Sequence, residues 1–287
     1  ILDDRLKVLH KPNGGLSEAR NFGLKNCNSE WITFLDDDDW FELDFLENFQ
    51  KYIAEKKELA DIYMYSGFRN YPRKQIERVP HYPKGTTFVT KEEKEELQTK
   101  CFTNYIAKGG NVKGITINSG CMKIFNVSFL KTNELLFPNV PYAEDSLFYL
   151  ISIEKASRVE YVGDSVYHYR NTEGSIVNQY RPNAIQEQQL YLNYIFNFIK
   201  EYNKSEDFLD KAYMRVFVSM LLLIKLKFFN EGNPDGYFKR RRECKLLFET
   251  EPYKDVFNKL KKYKLTKKAT IKLCLLKLKL YGLAEYG

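Results

Sequence analysis

Hydrophobic and polar positions change their period twice within the first forty residues of the chain. Residues 6–10 (LKVLH) read as a short buried strand, and residues 11–15 (KPNGG) carry the proline and glycine signals of a turn. Residues 17–26 are rich in helix formers, with Leu16, Ala19, Phe22, Gly23 and Cys27 as the inward stripe and residues 26–29 as the stop. Residues 31–35 (WITFL) are a continuous apolar run, the pattern of a central parallel strand. Strand, helix and strand in this order predict a crossover unit, and hence an α/β fold with a parallel sheet.

Further along, the pattern predicts helices at 44–56, 92–100 and 145–155, the last from Leu147, Phe148, Leu150 and Ile151. Strands are expected at 62–68 and 159–169, loop at 69–91, and mixed structure at 118–125. After about residue 183 the period becomes wholly helical, and this change is what divides the chain into residues 1–178 and 179–287.

Composition narrows the class. The 287 residues are 44% hydrophobic and 29% charged, as in a globular protein with a sizeable core, and the 15% aromatic share suits both a core and amphipathic pockets. Cys27, Cys101, Cys121, Cys244 and Cys274 are odd in number and never take a metal-ligand spacing, which predicts reduced thiols in a cytoplasmic protein. The longest apolar run, residues 216–224, stops at Lys225 and is too short to cross a bilayer. The net charge of +7 is concentrated from residue 251 onward, where ten lysines face Glu251, Asp255 and Glu285. The remainder is about neutral, so no nucleic-acid partner is expected.

Asp36, Asp37, Asp38 and Asp39 follow the run at 31–35 directly, where ligands of open α/β sheets bind. Adjacent carboxylates repel, and a cation relieves that repulsion. In an extended segment Asp36 and Asp38 share a face, a pair suited to Mg²⁺ or Mn²⁺ completed by water and phosphate oxygens. A solvated acidic turn capping the helix near Asp44 is the plain alternative. A calcium loop is excluded, because Trp40 and Phe41 occupy the places of a ligand and a glycine.

The run Asn13-Gly14-Gly15-Leu16-Ser17-x-Ala19-Arg20-Asn21-x-Gly23-Leu24, the acids with Trp40, the segment Tyr142-Ala143-Glu144-Asp145-Ser146, and Tyr167-His168-Tyr169-Arg170 with Gly174-Ser175-Ile176 carry a resemblance. In order and spacing they resemble inverting family-2 glycosyltransferases of the GT-A fold, over residues 1 to about 178. The resemblance implies that Asp38 binds the metal, with Asp36 holding the donor's ribose and phosphates and completing an Asp-X-Asp motif. It implies Asp145 as general base, with Glu144 positioning it or the acceptor, although both acids also suit a helix N-terminus. Arg170 and Ser175 would close over the diphosphate, and Arg20 and Asn21 would lie near the nucleotide or anchor the polar face of their helix. His168 is a candidate third metal ligand or a core residue of its strand.

The partners so implied are a nucleotide-sugar donor, UDP-linked, and a saccharide or lipid-linked saccharide acceptor of a bacterial surface polysaccharide, with Mn²⁺ or Mg²⁺ as cofactor. The family's hydrophobic first strand and acidic base-recognising turn are missing before Ile1, and Met122 precedes Lys123 where the family often has Asn. The expectation is therefore an N-terminally truncated GT-A sheet with exposed strand edges, followed by a helical region with a basic tail. That tail suits an anionic membrane, which would place the protein at the inner face of the plasma membrane. Two other functions fit the residues: a metal-dependent nucleotidyl or phosphoryl transferase, and a non-catalytic membrane- or partner-binding fragment.

Overall fold

The computed structural model describes residues 4–77, 82–103, 106–107, 117–171 and 179–286. Among them, seven strands form one sheet: β1 (Trp31–Thr33), β2 (Trp40–Phe41), β3 (Ile62–Tyr71), β4 (Lys74–Glu77), β5 (Thr86–Phe88), β6 (Lys123–Asn126) and β7 (Val159–Arg170). The main path runs β1-β6-β3-β7-β2, with β4 extending β3 as a hairpin and β5 flanking the start of β7. β3 and β7 pair in parallel, while β1 with β6, β6 with β3, and β2 with β7 are antiparallel.

Helices cover both faces, and β3 shows why. Ile62 and Met64 are buried on one face and Tyr63 and Tyr65 on the other, the period of two expected of a strand enclosed on both sides. The Tyr63 face lies under α2 (Phe45–Ala54), whose Phe45 and Phe49 pack on it edge-on to Tyr65 and Tyr63. The Ile62 face carries the larger core. It includes α1 (Gly15–Asn26), α3 (Lys91–Thr103), α4 (Val127–Thr132) and α5 (Glu144–Lys155), and continues without a break into the C-terminal helices.

Those helices are α6 (Ala184–Glu201), α7 (Glu206–Leu223, extended by a π turn over Ile224–Phe228), α8 (Tyr237–Phe248), α9 (Val256–Lys259), α10 (Lys267–Lys277) and α11 (Leu283–Tyr286). α7 lies against α3, and the α6–α7 turn brings Lys204 into the interior. There Lys204 pairs with Glu154 and donates to Gln98 at 3.1 Å, tying α5 and α3 to the helical layer. No helix among the described residues is long and apolar enough to cross a membrane.

The α/β class holds, with a different topology from the expected crossover. Residues 6–10 form no strand, and Leu6, Val8 and Leu9 are exposed. Residues 31–35 supply an edge strand rather than a central parallel one: β1 pairs with β6 from ninety residues later, and of this run only Phe34 is fully buried. The loop expected at 69–91 contains the end of β3 together with β4 and β5. β4 lies on a solvated extension of the sheet, so its residues never needed an apolar face. α1 buries Ser17, Arg20 and Leu24, whereas Leu16, Ala19 and Gly23 of the expected stripe are exposed.

Phe148 of α5 joins these layers. Its ring stacks on Phe137 at 3.9 Å between centroids and meets Phe125 of β6 edge-on at 5.5 Å. Truncating it leaves a void that the sheet cannot fill by collapse. Phe148→Ala should cost about 3–5 kcal/mol of unfolding free energy, measured by urea denaturation followed by circular dichroism.

Candidate active site

Two turns and two helix starts meet at the end of β1. Gly15 has φ +84°, a region that an L side chain rarely adopts, and its N–H donates to Asn13 Oδ1 at 3.0 Å. The turn so fixed launches α1 with Arg20 one turn inside, on the face toward the core. At the end of β1 the four aspartates form a tight turn, with Asp39 N–H donating to Asp36 O at 3.1 Å, before the chain re-enters the sheet as β2. They do not form the extended segment expected, so the argument from two-residue spacing does not apply to Asp36 and Asp38.

The turn sends its acids in different directions. Asp36 accepts from Arg20 Nη2 at 2.8 Å. Asp39 accepts from the Tyr167 hydroxyl and, at 2.7 Å, from the Arg170 N–H, bracketing the turn to the end of β7. Burial raises the Asp39 carboxyl above its usual range, with Asp38 and Asp36 adding to the shift against its two hydrogen bonds. Asp37 and Asp38 are exposed and have no hydrogen-bond or ion-pair partner among the described residues.

From the other side, α5 begins at Ala143 in the left-handed conformation, φ 56° and ψ 37°. For a non-glycine residue this costs about 1 kcal/mol, and it turns the first residues of α5 toward α1. Glu144 accepts from Arg20 Nη1 at 3.2 Å, and Asp145 pairs with the same nitrogen. The second Asp145 oxygen accepts from the Gly120 N–H at 3.1 Å. A Cβ at Gly120 would lie 3.3 Å from both Asp145 Oδ1 and the Phe137 ring, so this approach favours glycine. Beneath that segment Lys123 is buried and donates to the carbonyls of Ile117, at 2.7 Å, and Ser119.

One guanidinium therefore touches three carboxylates, from the acidic turn and from the start of α5. Burial opposes the Arg20 charge, but Asp145 and Asp36 hold it firmly protonated. Burial raises the Asp145 carboxyl, against Arg20 and the Gly120 N–H, and raises Glu144, with Asp145 adding to the effect. Burial also brings the Lys123 ammonium down to about 7.

Of the residues expected at the site, Arg20, Asp36, Glu144 and Asp145 are in direct contact, with Asp38 on the same turn. For two residues the contacts match the second of the alternatives offered above. Asn21 spends its amide on the Phe137 backbone, donating to O and accepting from N–H at 2.8 Å each, and so braces α1. His168 is buried between Phe68 and Trp40, stacked on both rings, with its nitrogens 2.9 Å from Glu42 and 3.2 Å from Asn70. Both nitrogens are engaged, as suits the alternative of a core residue of its strand. Arg170 projects its guanidinium over the Trp40 ring at 5.4 Å, while Ser175 lies outside the described residues. Gly120 and Cys121, whose sulfur is 3.7 Å from Arg20 Nη2, belong to the site without any warning in the sequence, and Tyr167, which the sequence offered only as part of the motif before Arg170, holds Asp39. Their contacts span more than a hundred residues of chain or run through a backbone N–H, and no spacing rule reports those.

Among the described residues no group of three or more His, Cys, Asp or Glu side chains could hold a metal. Asp38 and the second oxygen of Asp36 fit a hard divalent ion only as two oxygen donors, with the rest from phosphate and water.

Residues 1–132 match glycosyl transferase family 2. The chain is 26% identical over 210 residues to the putative glycosyltransferase EpsH of Bacillus subtilis (strain 168), covering 72% of this chain and 56% of that protein. It is 27% identical over 267 residues to glycosyltransferase GlyG of Streptococcus pneumoniae serotype 4, covering 90% of this chain and 77% of GlyG. It thus spans little more than half the length of EpsH. In fold it is similar to the crystal structure of S. aureus TarS 1–349 in complex with UDP-GlcNAc, with TM-score 0.55 and 16% identity, over 97% of this chain and 73% of that one.

Removing the shared cation tests the site's electrostatics. In Arg20→Met the carboxyls of Glu144 and Asp145, already raised, rise further. Raised acids favour the folded state below their unfolded pKa and lose that contribution as pH increases. The variant should be about 3 kcal/mol less stable at pH 7.5, with the deficit shrinking toward pH 5, in thermal denaturation at both values. An equal deficit at the two pH values would contradict the charge coupling.

Proposed function

We propose that this chain, which belongs to glycosyl transferase family 2 and has its GT-A fold, transfers a sugar from a UDP-linked donor to a saccharide hydroxyl of a bacterial surface polysaccharide, with inversion in one displacement. The observation that carries the reading is Arg20: one guanidinium holds Asp36, on the donor side, and Asp145, on the acceptor side, at a single point of the fold. The TarS structure contains UDP-GlcNAc and supports a UDP-linked donor.

Asp145 takes the proton of the acceptor hydroxyl, for which a carboxyl raised by burial is well matched. The freed oxygen bonds to the anomeric carbon as the bond from that carbon to the diphosphate breaks, and UDP leaves with the electron pair. Glu144 shares the Arg20 nitrogen with Asp145 and keeps the base facing inward. Asp38 and Asp36 would hold Mn²⁺ or Mg²⁺, which when bound would supply charge neutralisation for the leaving diphosphate. Arg170, at the end of β7 beside that turn, clamps phosphate oxygens, and Ser175 is assigned with it from sequence alone.

Two carboxylates on one turn suit a single cation. A two-metal nucleotidyl transfer would demand more protein ligands than the described residues bring together. The products separate the two: UDP for glycosyl transfer, UMP or pyrophosphate for the other. The acceptor is lipid-linked, and the basic C-terminal region meets an anionic leaflet at the inner face of the plasma membrane. α10 carries Lys267, Lys268, Lys272 and Lys277, and Ile271, Leu278, Leu280 and Leu283 are exposed on or beside it.

Asp38→Ala should abolish Mn²⁺-dependent UDP binding in calorimetry. Asp145→Asn should retain that binding and slow UDP release from UDP-sugars by about 10²–10⁴-fold. Full turnover in either variant would overturn the assignment. For the membrane contact, joint substitution of Lys272, Lys277 and Lys279 by Glu should release the protein from sedimenting phosphatidylserine vesicles, each lysine near the surface being worth about 1 kcal/mol. Undiminished sedimentation would remove the membrane from the account.

A further inference from the structure

Arg215 of α7 lies inside the helical layer, and among the described residues its charge meets no carboxylate. It is held by rings and hydroxyls instead. Its Nη2 donates to the Tyr142 hydroxyl at 2.7 Å and reaches Gln188 Oε1 at 3.4 Å, and its Cζ sits 4.8 Å from the Tyr191 ring centroid and 5.5 Å from that of Tyr142. The two tyrosines meet edge-on at 5.6 Å. Ser219 donates to the same Gln188 oxygen at 2.7 Å, so the position of Gln188 is itself fixed. A buried cation without an anionic partner is costly, and an apolar side chain of similar volume would fill the space at less expense. The cluster therefore calls for an explanation beyond packing.

What it grips is the start of α5. Tyr142 immediately precedes Ala143, whose left-handed backbone sets the direction of the helix. On the other flank the Ser146 hydroxyl is 2.8 Å from the Tyr191 hydroxyl. Asp145 lies between these two attachments. Its remaining contacts, Arg20 and the Gly120 N–H, come from the sheet side. The carboxylate is thus placed by two sets of restraints, one from α1 and the Gly120 segment and one from α6 and α7.

We propose that Arg215 and Tyr191 are positioning residues for Asp145, through which the C-terminal helices set the geometry of the base. This rests on the transferase reading given above. Arg215 holds Tyr142 by its hydroxyl and by the cation–π contact, and Tyr191 holds Ser146; together they fix the Ala143 turn from both ends. Neither is among the groups that contact Arg20 or the acidic turn. Their loss should therefore act on the chemical step and leave nucleotide binding alone.

The test compares Arg215→Met, Tyr191→Phe and the conservative Arg215→Lys in the full chain, with Tyr142→Phe as a milder variant that removes one hydroxyl. Three quantities are read: UDP–Mn²⁺ affinity by calorimetry, UDP release from UDP-GlcNAc, UDP-glucose and UDP-galactose, and hydrogen exchange at the Ser146 and Leu147 amides, which donate to Ala143 O. Arg215→Met and Tyr191→Phe should keep UDP affinity and donor KM within about twofold while kcat for UDP release falls by about tenfold or more, with partial recovery in Arg215→Lys. Exchange at the two amides should accelerate by a comparable factor. Folded variants with unchanged release and unchanged exchange would overturn the proposal, as would a parallel loss of UDP affinity and kcat, which marks general damage. If the unsubstituted chain released no UDP from any of these sugars while exchange still accelerated in Arg215→Met, the transferase reading would fail and the positional coupling would stand.

Discussion

The guanidinium of Arg20 is the point on which the site depends, because it is buried in contact with Asp36, Glu144 and Asp145, which come from elements far apart in the chain. Electrostatics makes this arrangement selective. Two carboxylates from α5 and one from the acidic turn could not approach one another without a cation between them, and burial of that cation would be prohibitive without the carboxylates. Each side of the contact therefore requires the other. α1 accordingly turns a charged residue inward and leaves Leu16 outside, against its own apolar pattern. The Phe137 ring completes the enclosure, lying 5.1 Å from the Arg20 carbon and stacked on Phe148 of α5.

A second constraint works on the acidic turn from the opposite end. Asp39 spends both oxygens on β7, so the turn cannot drift from the sheet when charge enters beside it. Trp40 and His168 continue that attachment as stacked rings across the β2–β7 pair. The division of labour within four identical residues follows from position alone. Asp39 is structural, Asp36 belongs to the Arg20 network, and Asp37 and Asp38 remain open to solvent.

How much of this was legible in the sequence varies with the range of the interaction. Local features were readable: the helices at 44–56, 92–100 and 145–155 correspond to α2, α3 and α5, and the strands at 62–68 and 159–169 to β3 and β7. The grouping of Arg20, Asp36, Glu144 and Asp145 followed from resemblance, since nothing in their spacing brings residue 20 to residue 145. Strand pairing was not legible. The run at 31–35 looks central because it is apolar, but its partner β6 lies beyond four further strands and two helices, and an edge strand half-buried by Trp31 and Ile32 carries the same letters. The surroundings of His168 were hidden for a related reason: a histidine offers metal-binding nitrogens in any sequence, and only the packed structure shows that Glu42 and Asn70 lie against them.

The charge balance at the site bears on what can enter it. Asp36 to Asp39 with Glu144 and Asp145 make six carboxylates on two adjoining segments, and Arg20, the one cation seen inside them among the described residues, is already in contact with three. Lys123 adds little, because it is enclosed by carbonyls and burial brings it down to about 7. A diphosphate approaching such a surface alone would be repelled, since like charges at contact distance near a protein surface interact by several kcal/mol (about 4 at an effective dielectric of 20). On the proposed reading a divalent ion on Asp38 would reverse that sign where the acids would otherwise exclude the donor, and the Arg170 guanidinium would act in the same sense. On the proposed reading the acidic turn would disfavour a bare nucleotide and favour its metal complex, which is the physical reason the cation and the donor are proposed together.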